Sequence, residues 1–284
     1  VTQYLTAGFS AAGDLLAVGV THAQQVKVWS LFTGRELACF DEAGNQLHSA
    51  TFSPDLRLVA TAGMDHVIRL RETLTGRLMR TLSAHHAPVR SLDFSPDGRY
   101  LVSGGEDYAL YLHDLTQTPL TIALDQSKAN YYRAVFSPDG KWLASSYRNG
   151  EIKLWDLHTR TLSKTFFGHT DRVRALVFSP DSLRLATGSA DNTIRLWEVL
   201  TGRALQTLGP ADFIQRAIFS PDGQRLLTGG TDGAIKFWDV TTSEELLSLP
   251  GHTDRVSALM FAPDGTSLVT SSMDGSVRLW RGPK

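Results

Sequence analysis

Serine, histidine and aspartate recur together in this chain at spacings that invite a catalytic reading. His169, Ser189 and Asp191 form one set. His252, Ser272 and Asp274 form another, and both run 22 residues from histidine to aspartate. Such a trio can activate a hydroxyl as a nucleophile if it is open to substrate and lies beside an oxyanion hole. In both sets, however, a tryptophan follows the aspartate by six residues, Trp197 and Trp280. A trio that repeats and is tied to an indole has the pattern of a structural network, not of one reaction centre. The pair His85-His86 has no Cys, Asp or further His at metal-ligand spacing. The phrases G-x-x-x-x-G-K-[ST], H-E-x-x-H and G-x-S-x-G are all missing from the sequence. No catalytic residue, metal or cofactor is therefore expected, and the chain reads as a non-enzyme.

The elements that must carry these residues are set by a phenylalanine. Phe9, Phe52, Phe94, Phe136, Phe178, Phe219 and Phe261 lie 43, 42, 42, 42, 41 and 42 residues apart. Each opens a variant of the phrase F-S-P-D-G, complete at Phe136-Ser137-Pro138-Asp139-Gly140. A constant period of this size means one small unit repeated. The units run approximately 1–43, 44–82, 83–124, 125–166, 167–208, 209–249 and 250–284. Within the fifth, Val173 to Phe178 alternates as a strand and Ser179-Pro180-Asp181-Ser182 turns the chain. Leu183 to Ser189, Thr193 to Trp197 and Arg203 to Leu208 read as three further strands. No stretch carries helical periodicity. A sheet of four short strands cannot bury both faces alone. Sheets stacked radially can, and they also shield their edges. The expected fold is all-β: a seven-bladed β-propeller of four-stranded antiparallel blades, spanning 1–284 as one domain.

Bulk properties set the outer bounds. Net charge is −1 and pI about 6.8, so overall charge offers no argument for nucleic acid or a membrane surface. The one cysteine, Cys39, excludes an intrachain disulfide and is expected to be a small buried hydrophobe. No signal peptide or long apolar run is visible. A reducing, cytoplasmic setting is the expectation. Because the chain begins at Val1, it is expected to be part of a longer protein.

The pairs Gly168-His169 and Gly251-His252, the pairs Trp155-Asp156 and Trp238-Asp239, and the F-S-P-D-G turns resemble the WD-repeat (WD40) family of β-propellers, in its bacterial-type form. That resemblance implies a structural network of His, Ser or Thr, Asp and Trp in each blade. It is complete at His169, Ser189, Asp191 and Trp197, and at His252, Ser272, Asp274 and Trp280. The third repeat keeps His85 and Asp107, with Gly105 and His113 in the other places. The sixth keeps Asp232 and Trp238, the fourth Trp155, and the second Asp65, with Arg71 for tryptophan. Repeats one, two and four are expected to be the softer ones.

The resemblance also implies a top face that binds partners. Three positions per repeat point into its opening: six and four residues before the phased phenylalanine, and the one before the network aspartate. These include Arg90, Arg148, Arg172, Arg174 and Arg255, with His48, Tyr132, Phe213, Met64 and Met273, and a single carboxylate, Glu106. Arginine offers a planar fork suited to carboxylate or phosphate. The expected function is a non-enzymatic scaffold or sensor, working as a monomeric ring, whose top face binds an acidic or phosphorylated peptide or protein segment. The alternative is a regulatory C-terminal domain of a multidomain bacterial signalling protein (kinase, NTPase or protease). A propeller enzyme and a nucleic-acid binder rank below both. The seventh repeat stops after its third strand, so the last blade is expected to lack its outer strand and to present an edge open to pairing.

Overall fold

The structure, a computed structural model, describes residues 4–9, 15–20, 25–30, 33–42, 46–116, 120–126, 131–209, 213–262 and 265–281. Of 4–9, 15–20 and 131–132 it describes the backbone alone. Every element is a strand. The chain divides into two compact units, Val1–Tyr131 with Ala262–Asp264, and Tyr132–Phe261 with Gly265–Lys284.

The first unit holds three sheets of four strands, each paired in chain order. They are β1 (Tyr4–Phe9), β2 (Leu15–Val20), β3 (Gln25–Ser30) and β4 (Glu36–Asp41); β5 (Leu47–Phe52), β6 (Leu58–Gly63), β7 (Ile68–Glu72) and β8 (Leu78–Leu82); and β9 (Val89–Phe94), β10 (Tyr100–Gly105), β11 (Leu110–Asp114) and β12 (Leu120–Asp125). The second unit repeats the plan. Its sheets are β13 (Tyr131–Phe136), β14 (Trp142–Tyr147), β15 (Ile152–Asp156) and β16 (Thr161–Phe166); β17 (Val173–Phe178), β18 (Arg184–Ser189), β19 (Ile194–Glu198) and β20 (Ala204–Leu208); and β21 (Ile214–Phe219), β22 (Arg225–Gly230), β23 (Ile235–Asp239) and β24 (Glu245–Leu249). The last repeat adds β25 (Val256–Phe261), β26 (Ser267–Ser272) and β27 (Val277–Arg281).

These strands correct the expected blade count. Four-stranded blades number six, not seven. The last repeat forms a sheet of three strands, because no described residue pairs with the outer edge of β27.

Alternation builds each blade. In β19, Ile194 and Leu196 are buried while Arg195, on the opposite face, is half-buried. The core lies between sheets. Ala175, Ile194, Leu196 and Leu208 of one sheet pack against Ile214, Phe219, Leu226 and Trp238 of the next. The first strand of one sheet packs on the first strand of the following sheet, as β5 does on β9 and β17 on β21. Close approach there requires glycine. A Cβ on Gly188 would lie 2.5 Å from Ile214 Cγ2, and one on Gly229 would lie 2.6 Å from Val256 Cβ.

The F-S-P-D-G phrase is a turn built by its own side chains. Ser137 Oγ–H donates to Asp139 Oδ1 (2.6 Å), and that oxygen accepts Lys141 N–H at 3.1 Å. Ser137 Oγ also accepts Trp142 N–H at 2.9 Å. Gly140 sits at φ +70°, as the turn demands. Fourth strands are the most exposed, and Cys39 on β4 is exposed too, against the expectation that it is buried. It occupies an outer strand, where no further layer covers it.

Candidate functional site

The recurring trio is a buried relay, and its hydroxyl is not the one the sequence reading names. In the fifth repeat Trp197 Nε1–H donates to Thr187 Oγ1 at 2.9 Å. Thr187 Oγ1 lies 2.8 Å from His169 Nε2, and His169 Nδ1 lies 2.8 Å from Asp191 Oδ2. Indole can only donate and carboxylate only accept, so protons point one way along the chain from Trp to Asp. Burial lowers the His169 pKa despite the carboxylate beside it, consistent with a neutral ring carrying its proton on Nδ1. Ser189, the expected member, instead donates to the Asp171 carbonyl (2.8 Å) and accepts Asp191 N–H (3.1 Å). The seventh repeat does the same. Trp280, Thr270, His252 and Asp274 form the relay at 2.9, 2.8 and 3.1 Å, and Ser272 bonds to the Asp254 carbonyl. The register explains both corrections: Trp197 lies opposite Leu185, so Thr187 is its diagonal neighbour and Ser189 stands two residues further along the same face.

The worn repeats rebuild this relay with other chemistry. In the third, His113 takes the tryptophan's place. Its Nε2 lies 2.8 Å from Ser103 Oγ, which lies 2.8 Å from His85 Nε2, and Asp107 completes the line at 2.9 Å. Gly105 is therefore not a gap: a Cβ there would stand 2.5 Å from His85 Nδ1. In the fourth, Trp155 Nε1–H donates to Ser145 Oγ at 2.9 Å, and Ser145 Oγ reaches the Tyr147 hydroxyl at 3.3 Å. In the second, the buried Glu42 carboxylate accepts Thr61 Oγ1–H (2.9 Å) and Arg71 Nε–H (2.6 Å). The sixth keeps Trp238 on Thr228 at 2.9 Å, while Asp232 caps the turn by accepting Ala234 N–H. The second and fourth thus have partners in place, which removes the reason for expecting them to be soft. Pro210 and Ser127, which stand at the histidine place of the sixth and fourth repeats, and His22, at the aspartate place of the first, lie outside the described residues.

Above the relay, two backbone features gather the top-face positions. The residue six before the phased phenylalanine bonds through its carbonyl to the N–H of the residue before the network aspartate. Ala190 N–H donates to Arg172 O, and Met273 N–H to Arg255 O, each at 3.0 Å. Pro88 with Glu106 and Gln46 with Met64 pair likewise. The residue four before the phenylalanine is the extra residue of a register shift in the first strand. His48, Arg90, Arg174, Gln215 and Ser257 all occupy it. A bulge re-aims the side chain it carries.

The side chains there differ between the units. In the first, Arg90 is already neutralised: its Nε and Nη2 donate to Glu106 Oε1 at 2.8 and 2.5 Å. Burial, then the Arg90 charge, holds the nearby His48 pKa down. In the second, the Arg172 and Arg174 guanidinium carbons stand 5.3 and 5.0 Å from the Phe213 ring centroid. Arg174 Nη1–H also donates to Gln215 Oε1 at 3.0 Å. Arg148, Arg172 and Arg255 form no ion pair among the described residues. The Tyr132 side chain lies outside the described residues. Sequence reasoning missed Arg133 and Arg216, which lie three residues before the phased phenylalanine. The signal was present: the other repeats hold Thr6, Ser49, Ser91, Ala175 and Ala258 at that position.

Four-stranded antiparallel sheets that share cores face to face, several of them with an indole–hydroxyl–imidazole–carboxylate relay or its substitute, define blades of a β-propeller. Six stretches match the profile described as WD domain, G-beta repeat: residues 34–71, 76–114, 126–156, 160–198, 202–239 and 243–281. The chain belongs to the WD40 repeat family. Most matches run from a fourth strand through the third strand of the next sheet, so the family's unit ties neighbouring blades together. Propellers of this family are generally non-enzymatic and typically bind proteins or peptides. A search of curated proteins finds no match.

Proposed function

We propose that this chain is a non-enzymatic binding platform whose second unit receives an acidic or phosphorylated peptide segment. One observation carries the reading: two guanidinium groups stand against one ring, Arg172 and Arg174 on Phe213, and Arg172 has no carboxylate partner among the described residues. An aromatic ring holds a guanidinium in place without quenching its charge, so less freedom is lost when an anion binds its fork. Arg172 Nε is buried without a hydrogen-bond partner among the described residues, a polar group left unpaid until a ligand arrives. Exposed Arg148 and Arg255 widen the positive surface of the same unit. Aromatic and arginine groups together are also the usual composition of interface hot spots. A cytoplasmic setting, alone or within a larger regulatory chain, fits this role.

A panel of acidic, phosphorylated, neutral and basic peptides at one salt concentration tests the proposal. Acidic members should bind, and Arg172→Glu with Arg255→Glu should weaken them more than about tenfold. Equal binding of all peptides, or unchanged affinity in the variant, would overturn it. So would oligonucleotide binding that dominates and falls steeply with salt.

A further inference from the structure

Arg216 occupies a place built for a small side chain. It pairs in register with Gly229 on β22, as Ala175 does with Gly188 and Ser91 with Gly104. A guanidinium there is poorly provided for. Its only protein hydrogen bond among the described residues runs from Nη1 to the neighbouring Gln215 carbonyl at 2.9 Å. No carboxylate pairs with it among the described residues. The charges that bear on it are those of Arg133 and Arg174, both like its own. Burial, and then those two arginines, pull its pKa down to about 9. Arginine keeps its charge in proteins, so this pull is felt as positive potential around Arg216.

A second feature points the same way. Gln215 is 5% exposed, and its Nε2 has no hydrogen-bond partner among the described residues. Its Oε1 is held by Arg174, which fixes the orientation of the amide and leaves the NH2 end as a donor. Donor groups and positive charge thus converge from β17 and β21, with Arg133 of β13 adding charge.

We infer that Arg216, Gln215 and Arg174, with Arg133 contributing charge, form a binding site for a small phosphate-like oxyanion inside the second unit. A tetrahedral oxyanion offers several acceptors at once, enough for a guanidinium fork and an amide NH2. The site shares Arg174 with the peptide reading, but Arg216 and the Gln215 amide belong to it alone. An anion held here would tie β17 to β21 and stiffen the strands beneath the binding face.

The test uses inorganic phosphate as the probe, against chloride at matched ionic strength. Phosphate should raise Tm saturably. Arg216→Ala restores the residue type found at Ala175 and Ala258, so it is expected to fold. It should raise the apparent Kd for phosphate by about tenfold or more, and Gln215→Leu should weaken it less. Without phosphate, Arg216→Ala should melt no lower than the parent, because an uncompensated charge has gone. A parent protein that responds no more to phosphate than to chloride would overturn the inference. An Arg216→Ala variant that keeps the full phosphate response would overturn it too. Acidic-peptide binding measured on the same variant separates the two proposals: its retention alongside loss of the phosphate response is the expected result.

Discussion

A single hydroxyl holds each intact blade's relay together. Thr187 accepts from Trp197 and lies in bonding reach of His169, so removing its oxygen orphans two buried groups at once. Thr187→Val keeps shape and volume and should cost about 1–3 kcal/mol for each group left unpaired. Denaturant unfolding will show it, and a loss under half of a kcal/mol, well below that range, would remove Thr187 from the relay. His113 adds a pH response. Burial, then the charge of His85, pulls its pKa from 6.5 to about 3. Between those values the unfolded chain binds more protons than the folded one. Stability is therefore complete above about pH 6.5 and falls as pH drops toward 3. His113→Trp, which installs the residue used in the intact repeats, should make that decline shallower; an equally steep fall in Tm would contradict the assignment. The relay was half legible in the sequence. His, Asp and Trp were read correctly in the fifth and seventh repeats, but the hydroxyl was placed two residues late. Thr61, Ser103, Ser145, Thr187, Thr228 and Thr270 stand ten residues before the tryptophan place in six repeats. Only Ser189 and Ser272 supply a hydroxyl at the position first read as the network's, though Tyr147 stands there as a phenol.

Strands were the most legible level, because period-2 alternation and the serine–aspartate turns leave little choice of boundary. Bulges were not legible, since nothing in the side chains of His48, Arg174 or Gln215 announces an extra residue. They explain why the position four before the phenylalanine leaves the pleat. The last sheet shows the consequence of an unpaired edge. In β15, β19 and β23 the first residue, Ile152, Ile194 or Ile235, is covered and pairs with Phe166, Leu208 or Leu249 of the fourth strand. In β27 the matching Val277 is 46% exposed and Leu279 is 54% exposed. An apolar edge with open backbone groups recruits strands. Leu279→Lys should therefore reduce concentration-dependent self-association in light scattering, and unchanged scattering would show that this edge is not what associates.

At the scale of the molecule, repetition supplies rigidity and variation supplies function. The relay, the turns and the glycine contacts recur, while the first-strand positions diverge. That divergence gives the first unit an arginine already matched by Glu106 and the second unit arginines set against Phe213. Net charge near zero hid this asymmetry, because Asp139, Asp181 and Asp222 in the turns balance the arginines in the sum while lying in other loops. The most direct measurement of the binding claim is hydrogen exchange on the protein with and without the tightest acidic peptide from the panel. Slowed exchange should centre on residues 172–174, 213–214 and 255–257. Slowing confined to the turns at Asp139, Asp181 and Asp222, or none in the second unit, would contradict it.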